Sequence, residues 1–344
     1  MNNKLNMQQS KEAKRFMKGV IFSGMRPTGK LHIGNYYGAL TNWIKLQNEY
    51  KCYYGVVDWH ALTTGYDDTS MMKENITEMV IDWLSAGIDP DKSTLLIQSQ
   101  VPEHAELHLL LSMITPLAWL ERNPVLKEQV RDLNLKENMG YGLLGYPVLM
   151  ATDILIYKSN AVPVGEDQSP HIELAREIGR RFNNLYKEVF PIPEIKLSHT
   201  PKIPGVDGKK MSKSLKNDIT LSDKPEDIRN KVLSMITDPQ KIRLSDPGHP
   251  EVCVVFKYHE IFNQKEVPEI ENECRKAKLG CVACKKRLAN ILIDSFQVFR
   301  EKRQYYENNV NLVWDILMKG SEKARKVAKQ TLYEVRKVMK INYD

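Results

Sequence analysis

Four short β-rich runs constrain this chain most: Lys18 to Ser23 leading into Gly24, Cys52 to Val57, Ser93 to Gln98, and Ala161 to Val164. Between them lie stretches of helical periodicity, over Ile33 to Leu46, Met71 to Ser85 and Glu103 to Leu120. Strands that alternate with helices pair side by side in one direction, because each helix returns the chain to the end where it began. The expected fold is therefore α/β, a parallel sheet with helices on its faces. In such sheets ligands gather beyond the carboxyl ends of the strands. Gly24, the turn after Val57, and Gly165 all fall there.

The length of 344 residues suits one large or two medium domains, and the 42% hydrophobic and 27% charged content is that of a folded soluble chain. A formal charge of +7 allows a polyanionic partner without requiring one. The first seventeen residues are polar and lack the apolar run of a secretory signal, and no later stretch reaches eighteen apolar residues, so a cytoplasmic protein is expected. After Lys216 strand-like alternation fades. Amphipathic, charge-laced segments such as Lys285 to Tyr306 and Glu322 to Met339 predict a second, helical domain. The expected division is a polar extension over 1–17, a sheet domain over 18–218, and a helical domain over 219–344.

Two separated motifs fit one nucleotide. In Thr28-Gly29-Lys30-Leu31-His32-Ile33-Gly34-Asn35, glycines let backbone approach a phosphate or base. The helix start near Ile33 offers unpaired N–H groups and a positive dipole end, with His32 and Asn35 as side-chain donors. A histidine beside a glycine in a turn is by itself most often structural. In Lys210-Met211-Ser212-Lys213-Ser214, the two lysines can follow negative charge as it moves from the α-phosphate to a leaving pyrophosphate. A lysine-rich loop is otherwise ordinary solvated surface.

With both motifs in an α/β chain, the sequence resembles the class I aminoacyl-tRNA synthetases. His32-Ile33-Gly34-Asn35 is a variant of that family's first motif and Lys210 to Ser214 its second. The resemblance implies a Rossmann-type catalytic domain, ATP with Mg2+, an aminoacyl adenylate, and transfer to the terminal adenosine of tRNA. Within the class, Gly24-Met25-Arg26-Pro27-Thr28-Gly29, Tyr146 to Leu155, Val162 to Gln168 and Lys323-Ala324-Arg325 resemble the tryptophanyl branch of bacterial type, from about Gly19 to the end. The activity so implied is a tryptophan–tRNA ligase.

An indole needs an apolar slot with one acceptor for its N–H. By resemblance Asp153 is that acceptor, Phe22, Met150, Val162 and Val164 are walls, His60 stands at the rim, and Tyr146 and Gln168 meet the ammonium group. A carboxylate in the apolar run Met150-Ala151-Thr152-Asp153-Ile154-Leu155 is costly without a partner, which makes Asp153 informative on physical grounds. The implied ATP contacts are Arg26, Pro27, Thr28, His32, Gly34, Asn35, Gly165, Glu166, Asp167 on the ribose hydroxyls, Ile203, and Lys210, Met211, Ser212, Lys213 and Ser214. Lys210, Ser212 and Lys213 serve the chemical step. Arg26 stands where many relatives carry glutamine.

Four of the five cysteines, Cys253, Cys274, Cys281 and Cys284, crowd the helical region with spacers of 20, 6 and 2 residues. Clustered thiols in a reducing compartment suggest metal. Spacing alone ranks a four-thiolate Zn2+ site first, iron–sulfur second and unligated thiols third. The resemblance reverses this, since a subset of the bacterial tryptophanyl enzymes carries a [4Fe-4S] cluster near the anticodon-binding region on a similar pattern. Cys52 reads as core. Basic groups flank the cysteines (Arg275, Lys276, Lys278, Lys285, Lys286, Arg287) and recur at Lys323, Arg325, Lys326, Lys329, Arg336 and Lys337. They read equally as tRNA phosphate contacts or as solvated helix faces. The apolar pattern from Glu103 to Leu120 is too greasy for one covered side, which predicts a homodimer interface within about 103–145. The rival readings are a tyrosyl enzyme, a catalytically silent RNA-binding relative, and a small-molecule adenylyltransferase.

Overall fold

A computed structural model describes residues 17–135, 139–165, 168–197 and 203–343. Its centre is a five-stranded, wholly parallel sheet: β1 Val20–Met25, β2 Lys51–Val56, β3 Ser93–Ile97, β4 Ala161–Val164 and β5 Glu194–Leu197, in the order β3-β2-β1-β4-β5. The chain builds outward from β1 in one direction and then, from β4, in the other. The carboxyl ends of β1 and β4 therefore flank the point where the order reverses, the place where open α/β sheets form a crevice. The four runs expected from the sequence are four of these strands. The helical stretch expected from Ile33 forms as Ile33–Asn35 (α1), a π-helical turn Tyr36–Leu40, and Thr41–Leu46 (α2). The long apolar pattern from Glu103 divides into Glu103–Ile114 and Leu117–Glu121, because Pro116 cannot continue the first helix.

Strand alternation sorts the core into two layers. Ile21, Cys52, Tyr54, Val56, Leu95, Ile97 and Ala161 face one cluster, and Phe22, Tyr53, Leu96 and Val162 face the other. Helix α3 (Asp58–Gly65) follows β2. The first layer is covered by α4 (Met72–Ala86) and by helices from the second half of the chain. The second is covered by α5 (Glu103–Ile114) and, beyond α6 (Leu117–Glu121) and α7 (Pro124–Asp132), by α8 (Tyr141–Leu155) and α9 (Ser169–Leu185). Leu109, Met113 and Leu117 remain exposed on this side.

Beyond Lys216 come α10 (Pro225–Ser234), α11 (Val254–Phe262), α12 (Val267–Arg275), α13 (Cys281–Ser295), α14 (Gln297–Glu307) and the 29-residue α15 (Val310–Val338). These do not stand apart from the sheet. Val313 and Leu317 of α15 enter the first core layer, whereas Ala324, Ala328, Leu332 and Val335 enter the second, so the helix wraps the β3 edge. The Ser321 hydroxyl accepts the Ile97 N–H at 3.0 Å, satisfying a donor that an edge strand would otherwise leave open. Arg325 pairs with Glu103 and Arg336 with Glu106, which ties two of the cations expected on a tRNA-facing surface to α5.

The crossing is close because Gly320 has no side chain: a Cβ there would lie 1.8 Å from the Leu95 carbonyl oxygen. Backbone cannot yield as a flexible side chain does, so Gly320→Ala is expected to cost about 2 kcal/mol or more by overpacking, measured by urea unfolding. An unchanged midpoint would show that α15 is free to lift.

Candidate active site

The two expected motifs meet through backbone. The Ile33 N–H donates to the Ile219 carbonyl and the Leu221 N–H to the Leu31 carbonyl, each at 2.9 Å. The segment just past the second motif thus forms an antiparallel bridge with the first, His32 opposite Thr220. The 205–217 loop is built to stay in place: the Asn217 amide donates to Asp207 at 2.8 Å and to the Lys210 carbonyl at 3.1 Å, and its oxygen accepts the Ser212 N–H at 2.8 Å. Met211 and Ile203 are buried in the first core layer, anchoring the loop from below. Lys213 then reaches across, its Nζ lying 2.5 Å from the Thr28 carbonyl oxygen and 3.5 Å from the Thr28 hydroxyl. Burial lowers its ammonium pKa, opposed by the carboxylates of Asp82 and Asp218. Ser212 and Ser214 bond each other at 2.7 Å.

His32 and Asn35 prove to be a reciprocal cap of α1. The His32 Nδ1 accepts the Asn35 N–H at 3.1 Å, and the Asn35 side-chain oxygen accepts the His32 N–H at 3.2 Å. Burial keeps the imidazole pKa low, so the ring is neutral and its proton sits on Nε2. Gly34 must be glycine here, since a Cβ would meet the imidazole Nδ1 at 2.9 Å. Gly29 turns the chain with φ of +79°. Arg26 does not extend into open space. Its guanidinium donates to the Thr64 hydroxyl and, at 3.4 Å, to the Ala61 carbonyl, clamping the end of α3. Pro27 and Thr28 lie between Arg26 and Gly29 in the turn after β1, and Gly165 directly follows β4. Glu166 and Asp167 lie outside the described residues.

Asp153 is buried within α8 and bonded by three side chains. Gln98 Nε2 donates to both carboxylate oxygens at 2.8 and 2.9 Å, His104 Nδ1 lies 2.6 Å from one and His60 Nε2 3.0 Å from the other. Burial alone would raise this carboxyl, but the hydrogen bonds from His104 and His60 outweigh it and hold the group at about 2. The Tyr157 hydroxyl, 2.7 Å from His104 Nε2, fixes the far side of that ring. Phe22 stacks on Tyr157 at 5.4 Å. Phe22, Tyr146 and Val162 belong to the second core layer, with Met150 and Val164 packed against it, and Gln168 opens α9. Most of the expected tryptophan-side residues are thus neighbours in one layer.

Sequence reasoning missed Gln98, His104, Tyr157, His171 and Asn217. The position of Gln98 at the end of β3 was a usable signal; His104 lies on α5 and Tyr157 in the turn after α8, and no spacing rule reveals that they point inward. Gln98 Oε1 is buried and finds no hydrogen-bond partner among the described residues, leaving an acceptor beside the carboxylate. A cavity of about 230 Å³ opens between α3 and α8, and of the expected residues Tyr146 lines it. His171 Nδ1 accepts the Asn123 amide at 3.2 Å, so its proton sits on Nε2, which donates to the Tyr146 hydroxyl at 2.8 Å.

The four cysteines are gathered at helix ends: Cys253 caps α11, Cys274 ends α12, and Cys281 and Cys284 open α13. Burial, and then the charge that Cys253, Cys274 and Cys281 would carry nearby, pushes the Cys284 thiol up to about 12. A Cβ on Gly248 would lie 2.4 Å from the Cys274 sulfur, so the 248 backbone is moulded to it. Among the described residues, however, no three such side chains converge closely enough to hold a metal ion. This bears equally on the expected [4Fe-4S] cluster and on its Zn2+ alternative. Two of the flanking cations are also engaged in ion pairs, Arg275 with Glu251 and Glu271 and Arg287 with Glu266.

A parallel sheet whose order reverses at β1 and β4, with a glycine-rich turn and a lysine–serine loop closing over that point, defines a nucleotide-dependent synthetase of the first class. The family model for tRNA synthetases class I (W and Y) matches residues 17–297, and the chain belongs to that family. It is 51% identical to the tryptophan–tRNA ligase of Thermotoga maritima, over 94% of this chain and 99% of that protein, and 45% identical to that of Aquifex aeolicus, over 93% and 99%. Among solved structures, the tryptophanyl-tRNA synthetase of Campylobacter jejuni complexed with ADP and tryptophan superposes with a TM-score of 0.83 at 33% identity, covering 94% of this chain and 99% of that one. A tyrosyl-tRNA synthetase of Archaeoglobus fulgidus, at 18% identity and a TM-score of 0.65, shares the fold. Among the described residues no helix is long and apolar enough to cross a membrane.

The acid limb of stability gives a test of the Tyr146–His171 pair. Burial holds His171 at about 4 against an ordinary 6.5, so the stability tied to its neutral form is complete above pH 6.5 and is lost as pH falls toward 4. The expected loss over that window is about 3 kcal/mol from this group. His171→Gln should flatten the limb in urea titrations at stepped pH, and an unaltered limb would show that His171 is not held neutral.

Proposed function

We infer that the chain activates L-tryptophan with ATP, forming tryptophanyl adenylate and pyrophosphate, and transfers tryptophan to the terminal adenosine of tRNA(Trp). The observation that carries the mechanism is the contact of Lys213 Nζ with Thr28, which brings the cation of the second motif onto the turn of the first. ATP enters with Mg2+, its phosphates at the Thr28–Asn35 turn. His32, through Nε2–H, and Lys210, Ser212, Lys213 and Ser214 surround the charge that builds up on pyrophosphate. The tryptophan carboxylate is itself the nucleophile, so the protein supplies position and charge stabilisation rather than a general base. Gly165, Glu166 and Asp167 take the adenosine side, with Ile203 and Met211 beneath the loop.

On the amino-acid side, Asp153 accepts the indole N–H, with Phe22, Met150, Val162 and Val164 as walls, His60 buried against the same carboxylate rather than at the rim, and Tyr146 and Gln168 toward the ammonium group. Its low pKa keeps Asp153 an acceptor through the physiological range. A phenylalanine side chain would leave that carboxylate without a ring donor, the kind of mismatch that discriminates strongly. Arg26 serves this site through α3, which carries His60. The helical region over 219–344 reads the anticodon, and a second copy of the chain covers exposed Leu109, Met113 and Leu117.

Cys253, Cys274, Cys281 and Cys284 hold a [4Fe-4S] cluster in this reading. The support for this reading is that Cys253, Cys274 and Cys281 lie near enough to Cys284 for their charge to raise its thiol pKa, as four ligands of one cluster would. The cluster would cross-link the starts of α11 and α13 to the end of α12.

Lys213→Ala is expected to slow tryptophan-dependent ATP–pyrophosphate exchange about 100-fold while leaving the KM for tryptophan within about twofold, the pattern of a contact made in the transition state. Equal loss in both would refute the assignment, and exchange driven by tyrosine instead would refute the substrate. Iron and sulfide should each approach four per chain in protein purified without oxygen. Stoichiometric zinc in their place would overturn the cluster.

A further inference from the structure

The ATP turn rests on a buried charge that comes from elsewhere in the chain. The Leu31 N–H donates to Asp82 Oδ2 of α4 at 2.6 Å, with Leu31 and Asp82 both fully buried. The other oxygen of Asp82 is held by Arg303 of α14, itself 2% exposed, whose guanidinium also bonds Glu78 and, through Nε at 2.9 Å, Glu307. Lys30, next to Leu31, lies 3.9 Å from Glu78. Both peptide groups of Leu31 are therefore committed, the N–H to Asp82 and the carbonyl to Leu221.

A backbone N–H does not need a carboxylate when a neutral oxygen would do, and a fully buried carboxylate is expensive without a cation. Removing Arg303 would leave Asp82 either charged and uncompensated or protonated, and a protonated carboxyl is a weaker acceptor. In either case the anchor under Leu31 fails. The residues that would shift first are Thr28, Gly29 and Lys30, the turn to which Lys213 is bonded.

We propose that Arg303 is a positioning residue for ATP: by holding Asp82 ionised and in place, it fixes Leu31 and with it the phosphate-facing turn. This rests on the reading of Thr28–Asn35 as the ATP site. The pair also joins α14, from the C-terminal half, to the first motif.

The test uses the full-length protein in ATP–pyrophosphate exchange. Arg303→Met is expected to raise the KM for ATP about tenfold, the order lost with one charge-assisted hydrogen bond, and to leave the KM for tryptophan within about twofold. The double variant Asp82→Leu/Arg303→Met removes both charges and can restore packing without restoring an acceptor for Leu31. It should regain the wild-type thermal midpoint yet keep the raised KM for ATP, which a purely structural role would not produce. Arg303→Lys, which retains the cation without the planar fork, should show an intermediate KM for ATP at an unchanged midpoint. A wild-type KM for ATP in both the double variant and Arg303→Lys would overturn the proposal. Asn35→Ala separates the two failures. If it too leaves the KM for ATP unchanged, the motif does not bind ATP; if it raises that KM while the Arg303 variants do not, only the positioning role falls.

Discussion

The backbone bridge between Leu31–Ile33 and Ile219–Leu221 is the contact on which this architecture turns. Two peptide hydrogen bonds join segments that the chain itself separates by most of its sheet. Without them the lysine–serine loop would have no fixed relation to the turn after β1, and Lys213 could not be kept over Thr28. Peptide groups suit this task, since their direction is set by the fold and not by a rotamer. The loop's internal fastening by Asn217 then fixes the height of Ser212 and Lys213 over the crevice.

Two buried carboxylates show how the same residue type serves different ends. Asp153 is surrounded by the side-chain donors Gln98, His60 and His104 and remains an anion. Asp82 is matched to a full cation, Arg303, and offers its second oxygen to backbone. In the proposed site, the first arrangement would let the carboxylate exchange one donor for a substrate's. The second is a closed pair with a structural task, and its charge is committed on both oxygens.

Much of the site was legible in the sequence because short-range chemistry wrote it there. Gly34 must sit beside His32, and Asn35 must stand three residues after it to close the cap; both needs fall within one helical turn. Asp153 was conspicuous because a carboxylate in an apolar run demands a partner. Which partners it has was not legible. Gln98, His104 and His60 come from the end of β3, from α5 and from α3, and no spacing along the chain records their convergence. Arg26 illustrates the same limit: the resemblance implied an ATP contact, and no sequence signal told that in the fold its guanidinium bonds Thr64 and the Ala61 carbonyl.

By itself the sequence determined the alternation of strands and helices, hence a parallel sheet, and the residue types at its carboxyl edge that suit ATP and an indole. Periodicity and glycine placement are local properties, fixed by backbone sterics within a few residues. Tertiary structure decided the rest: the order β3-β2-β1-β4-β5 with its crevice, the wrap of α15 over the β3 edge at Gly320, and the use of Arg303, Arg325 and Arg336 as internal ties. A cation's sequence position does not reveal whether it faces solvent or a buried carboxylate. Only packing sets the desolvation and the partner on which that outcome depends.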